Sequence, residues 1–154
     1  MGGGPVVSKR LKAKVRQGGT LALDAQGFSL HIDYDERLKA LVELAERDGA
    51  RVVLSALTPL EVQRSGRAAQ RREFLLSRFD VVPVGDRIVE TAGALLRESG
   101  LDGHECLVDA VVVATAASGL APVRLVTSDR SHIPLLCKAA EKLPGEPSVK
   151  LIVV

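Results

Sequence analysis

The chain has 154 residues, of which 46% are hydrophobic and 26% charged, with a formal net charge of +2, enough to bury a real core. Aromatics make up only 3%, which argues against a surface that stacks many bases on aromatic platforms, and no apolar run reaches the length of a membrane span. The two cysteines, Cys106 and Cys137, fit neither a metal-ligand spacing nor a dense disulfide framework, so both are expected as small buried hydrophobes in a reducing cytoplasm.

Residues 1–19 hold Lys9, Arg10, Lys12, Lys14 and Arg16 and no acid. They form a basic arm ahead of a mildly acidic body. The segment lacks the apolar centre of a secretory signal. It is expected to be a solvated, disordered tail, with a nucleic-acid contact as the sharper alternative. TLALD (20–24) is an apolar run ending in Asp, a strand candidate. Residues 35–48 carry Leu38, Leu41, Val42 and Ala45 at helical spacing before Gly49. RVVLS (51–55) is a β-branched strand candidate, and TPLEVQRSG (58–66) opens as a helix start. The basic stretch 67–78 is predicted helical, with Phe74, Leu75 and Phe79 on its apolar side. DVVPV (80–84) follows as a strand. Residues 86–98 place Ile88, Val89, Ala92, Leu95 and Leu96 on one helical face. LDGH (101–104) is a turn, HECLVDAVVVATAASG (104–119) an Ala-rich helix, and PVRLVTSD (122–129) a fourth strand. A helix over 131–141, a turn at LPGEP (143–147) and a last strand in VKLIVV complete the chain.

Strands that alternate with helices and are apolar on both faces imply a parallel sheet covered on both sides, one domain over 20–154. Such folds bind ligands beyond the carboxyl ends of their strands. Four acids fall in that region: Asp24, Glu61, Asp109 and Asp129. Each has a plain structural explanation. Thr58-Pro59-Leu60-Glu61 has the pattern of a capping box. Asp129 and Asp24 suit helix caps or Asx-turns. Asp109 fits this least well, because Leu107 and Val108 before it read as already packed, which would bury it among apolar neighbours. An unpaired buried carboxylate is costly, and two carboxylates about 5 Å apart repel by roughly 3 kcal/mol at an effective dielectric of 20. Should the four converge, a hard divalent cation with oxygen ligands, Mg²⁺ or Mn²⁺, answers the problem. His104 and His132 read as isolated surface residues. Arg64, Arg67, Arg71 and Arg72 just beyond Glu61 are either a solvated helix face or an RNA track.

The set LALDA (21–25), TPLEV (58–62), LVDAVVVATA (107–116) and VTSD (126–129) resembles the PIN-domain family, most closely the VapC-like toxins of toxin–antitoxin pairs. The likeness spans about residues 20–154. It implies a three-layer α/β/α sandwich with a five-stranded parallel sheet, and a cytoplasmic Mg²⁺- or Mn²⁺-dependent endoribonuclease. Asp24 and Asp109 would be the principal metal ligands, with Glu61 and Asp129 completing the acidic pocket. Thr127 would hydrogen-bond one of the carboxylates, and Arg64, Arg67 and Arg71 would flank the pocket as RNA contacts. A cognate antitoxin and a homodimer are implied as partners. The sequence departs from the family pattern at Gln26, where Ser or Asn is common, and after Asp129, where Arg130, Ser131 and His132 replace a further acid. The rival reading is a PIN-like RNA-binding or scaffold module without nuclease activity. A receiver domain or a haloacid-type phosphatase would want paired acids after the first strand, which Asp24-Ala25-Gln26 does not supply.

Overall fold

A computed structural model describes residues 18–154, so the expected basic arm lies almost wholly outside the described residues. The elements run β1 (Thr20–Leu23), α1 (Ala25–Ile32), α2 (Glu36–Arg47), β2 (Arg51–Ser55), α3 (Thr58–Glu61) and α4 (Gly66–Arg78). Next come β3 (Asp80–Val82), α5 (Asp86–Ser99), α6 (Leu107–Ala117), β4 (Val123–Thr127), α7 (His132–Glu141) and β5 (Val149–Val153). All five strands are parallel, in the order β3-β2-β1-β4-β5. The expected sheet is therefore present, with each strand close to its predicted position.

Period-two alternation divides the core into two layers. Ala22, Val53, Val123 and Leu125 face the cluster built with α5, α6 and α7. Leu21, Leu23, Val52, Leu54 and Val126 face the cluster that holds Phe28, Ile32, Leu38, Val42 and Leu75. Helix α6 is buried almost all round, from Ala110 to Ala117. Its Ala and Val side chains let it lie close against the sheet, which explains an alanine-rich helix in a β-branched run. Gly119 fits the same tight layer, since a Cβ there would come within 2.5 Å of Thr20 Oγ1.

Three expectations change. Helix α1 has no counterpart in the predicted elements. Phe74 and Val89, predicted on apolar faces, are mostly exposed, whereas Leu75, Phe79, Ile88, Ala92 and Leu95 are buried as predicted. Leu107, two residues ahead of the acid in α6, is 53% exposed, while Val108 packs against the core, so Asp109 lies in the half-exposed first turn of that helix. Cys106 and Cys137 are free and buried as expected, and burial pushes the Cys137 thiol up to about 12.

Candidate active site

The chain runs from β1 outward to β3, then returns to place β4 and β5 on the other side of β1. The order reverses between β1 and β4, and a crevice forms beyond the carboxyl ends of strands at such a point. Asp24 follows β1 and Asp129 follows β4. Helix α6 runs antiparallel to the strands, so its first turn delivers Asp109 to the same end. Short α3, just after β2, delivers Glu61.

Each carboxylate is held differently. Asp24 is nearly buried and caps α1, accepting the Gly27 N–H at 2.8 Å. Its backbone N–H still extends the sheet ladder to the Val126 carbonyl at 3.1 Å. Thr127 Oγ1 accepts the Asp129 backbone N–H at 3.0 Å, and the Thr127 side chain lowers the proton affinity of Asp24. Asp129 accepts the backbone N–H and the hydroxyl of Ser131 on Oδ1, at 2.9 and 2.8 Å. Its Oδ2 accepts the N–H groups of His132 and Ile133, at 3.0 and 2.7 Å. Asp129 therefore meets the orphan amides at the start of α7. The helix-cap explanation and the pocket position both hold for Asp24 and for Asp129.

The capping box at Glu61 does not form. Leu57, already in the right-handed helical region, precedes the helix with no side-chain cap, and the Thr58 hydroxyl is buried without a partner. Glu61 accepts no hydrogen bond among the described residues, so its carboxylate is left to the pocket.

The electrostatics of the four acids are coupled. Burial raises the Asp24 pKa, helped by the Asp129 charge and opposed by hydrogen bonds from Thr127, Gly27 and Gln26. Burial and the charges of Asp109 and Asp24 raise Glu61. Burial and Asp129 raise Asp109, with His132 working against them and Asp24 adding a little. Asp129 goes the other way: burial pushes it up, but the hydrogen bonds from Ile133, Ser131 and His132 outweigh that and hold it low. Asp24, Glu61 and Asp109 thus lie in one another's fields, and Asp129 acts on Asp24 and Asp109.

His132 corrects the sequence reading. It is not isolated: its Nδ1 lies 3.5 Å from Asp109 Oδ2. No ligand spacing in the sequence pointed to it. The Asp129 cap turns the chain so that a residue three positions on faces back to Asp109.

The arginines are largely committed within the fold. Arg64 pairs with Asp33 at 3.1 Å and reaches Ser29 Oγ and the Gln63 carbonyl. Arg71 donates to the Ile32 and His31 carbonyls, both at 3.0 Å, and lies over the Tyr34 ring, closing the end of α1. Arg72 donates to the Val62 and Pro59 carbonyls, both at 2.8 Å. Of the three expected RNA contacts, Arg67 alone is exposed with no polar partner among the described residues. A cavity of about 1020 Å³ is lined by Arg47, Arg124 and Lys150 among others and opens at the opposite ends of the strands. It is not the acidic site.

A parallel five-stranded α/β/α sandwich with acids gathered at its switch point defines a class, and the family comparison agrees with it. The PIN domain family model matches residues 21–135, and the chain belongs to that family. Among solved structures it is similar to a chain in the crystal structure of VapBC2 from Rickettsia felis bound to a DNA fragment from their promoter. The TM-score is 0.59 at 14% identity, over 88% of this chain and 98% of that one. That likeness is one of fold. No curated protein matches the sequence.

Proposed function

We propose that this chain is a metal-dependent endoribonuclease, the toxin of a toxin–antitoxin pair. The observation that carries the reading is the gathering of Asp24, Glu61, Asp109 and Asp129 at the switch point with unneutralised charge. Among the described residues none of the four pairs with Lys or Arg, and the one facing base is His132. Such a set of oxygen donors fits a hard divalent ion, Mg²⁺ or Mn²⁺, held by Asp24, Asp109 and Asp129 with Glu61 beside them. When bound, a divalent cation supplies Lewis acidity at the scissile phosphate and acidifies water.

The chain's own residues do the positioning. Asp24 is held by its hydrogen bond from Gly27, so its carboxylate is oriented before binding, whereas Asp129, whose acceptor sites are filled, would release a hydrogen bond to take a cation. Glu61 is exposed and has a raised proton affinity. It is placed to accept the proton of an attacking water. Arg67 is the cation available to meet RNA phosphate. The fold likeness to a chain of the VapBC2 structure of Rickettsia felis is in keeping with a toxin–antitoxin reading, and an antitoxin as partner and a homodimer as the working form belong to the proposal.

The test is cleavage of total cellular RNA by the purified protein with Mn²⁺, beside EDTA and Asp109→Asn controls. Discrete fragments with Mn²⁺ that vanish in both controls are expected. Equal cleavage by Asp109→Asn would overturn the assignment. No cleavage, with Mn²⁺ still raising the melting temperature, would turn the reading to a PIN-like RNA-binding or scaffold module.

A further inference from the structure

The fold carries an imidazole to a site whose other donors are all oxygens. One ligand atom each from Asp109, Asp129 and His132 lie within 4.8 Å of one another. The placement is fixed from two sides. The His132 backbone N–H is held by Asp129 Oδ2 at 3.0 Å, and the neighbouring Ile133 is buried in the core. The imidazole itself is about one-third exposed (34%), so the ring is free to turn either nitrogen toward the acids. Ligands about 2.1 Å from an octahedral ion lie roughly 3.0 Å apart when adjacent and roughly 4.2 Å apart when opposite. The 3.5 Å between His132 Nδ1 and Asp109 Oδ2 is about 0.5 Å longer than the adjacent spacing, a gap that a small rotation of either side chain closes.

We propose that His132 is a nitrogen ligand of the cation held by Asp109 and Asp129, and that it makes the site prefer Mn²⁺ to Mg²⁺. The inference rests on the metal-dependent reading above and goes further in assigning the ion. Mg²⁺ binds through carboxylates and retained waters. Imidazole favours first-row transition ions, whose affinity for nitrogen donors rises along the series that starts at Mn²⁺. Carboxylates alone supply charge, which both ions accept. A neutral imidazole adds no charge, so what it adds is discrimination. The competing role, a plain charge partner for Asp109, requires the protonated ring, which has no lone pair for a metal.

The experiment titrates Mn²⁺ and Mg²⁺ separately into the full chain by calorimetry and records pulsed EPR spectra of the Mn²⁺-loaded protein. A directly coordinated ¹⁴N is expected in the wild type and absent in His132→Ala. Removing even an outer partner of a metal ligand costs roughly 10–100-fold in affinity. His132→Ala is therefore expected to weaken Mn²⁺ by at least about tenfold while Mg²⁺ changes little. His132→Asp, which restores an oxygen donor, should bind both ions with the preference for Mn²⁺ reduced. Mn²⁺ bound without nitrogen coupling, or an unchanged Mn²⁺/Mg²⁺ ratio in His132→Ala, would overturn the assignment of His132 and leave the metal site standing. Failure of both ions to bind the wild type would overturn both readings.

Discussion

Asp109 and Asp129 are the same residue type in one cluster, yet the fold treats them in opposite ways. Asp129 accepts four hydrogen bonds from the start of α7, so its ionised form stabilises the fold. Asp129→Asn turns one acceptor oxygen into a donor facing N–H groups. It is expected to cost about 1–2 kcal/mol, as loss of a helix cap does, read by urea unfolding in EDTA. Asp109 has only His132 to offset burial and the Asp129 charge. Asp109→Asn is therefore expected to raise the melting temperature of the metal-free protein at neutral pH. A loss of stability there would mean that Asp109 is anchored rather than repelled. The sequence singles out the four acids because three of them come immediately after an apolar strand or within an apolar helix. It placed Asp109 too deep, since Leu107 was taken as packed. It missed His132 because the Asp129–His132 relation depends on the geometry of a turn, which residue spacing does not specify.

Short elements carry the positioning, and they are also where sequence reading was weakest. Apolar runs identified every strand to within a residue or two. Helix α1 was missed: its eight residues include Gly27 and Ser29, too few and too weakly helical for a periodic signal. Asp24 was the one cue to it. Periodicity likewise could not place Phe74 and Val89, which sit at the margin of an apolar stripe, where a small rotation decides exposure. The arginines separate by element in the same manner. Arg72 closes the one-turn helix that carries Glu61 by donating to two of its carbonyls. Hydrogen bonds from a charged group contribute about 1.5–3 kcal/mol, so Arg72→Ala is expected to cost about 2 kcal/mol and to lower kcat by displacing Glu61. Arg67→Ala should leave stability within about 0.5 kcal/mol and raise KM for RNA, with a shallower dependence of binding on salt. Equal effects of the two variants on unfolding would remove this distinction between a positioning and a contacting arginine.

In the whole molecule the sheet forces acids together, on the proposed function a cation relieves them, and the two effects can be separated by pH. Asp109 has a folded-state pKa raised above its ordinary value, so in the interval between the two it binds more protons folded than unfolded. Stability then falls as pH rises through that interval. Asn does not titrate. The difference in melting temperature between Asp109→Asn and wild type, both in EDTA, is therefore expected to be small near pH 4 and to widen toward pH 7. Taking the difference cancels the ion pairs elsewhere on the surface, which both proteins share. Metal reverses the sign, because a cation binds the ionised carboxylates and its affinity rises with pH. Mn²⁺ at about 100 times its Kd adds about 2.7 kcal/mol, roughly 5–10 °C for a chain of this size. That gain should appear in the wild type at neutral pH, shrink in acid and be largely lost in Asp109→Asn. Thermal scans from about pH 4 to about pH 7, with EDTA or Mn²⁺, test all of this at once. A difference in EDTA that stays constant across that range would mean Asp109 is not held under repulsion. A Mn²⁺ gain that survives in Asp109→Asn would mean the ion sits on other ligands.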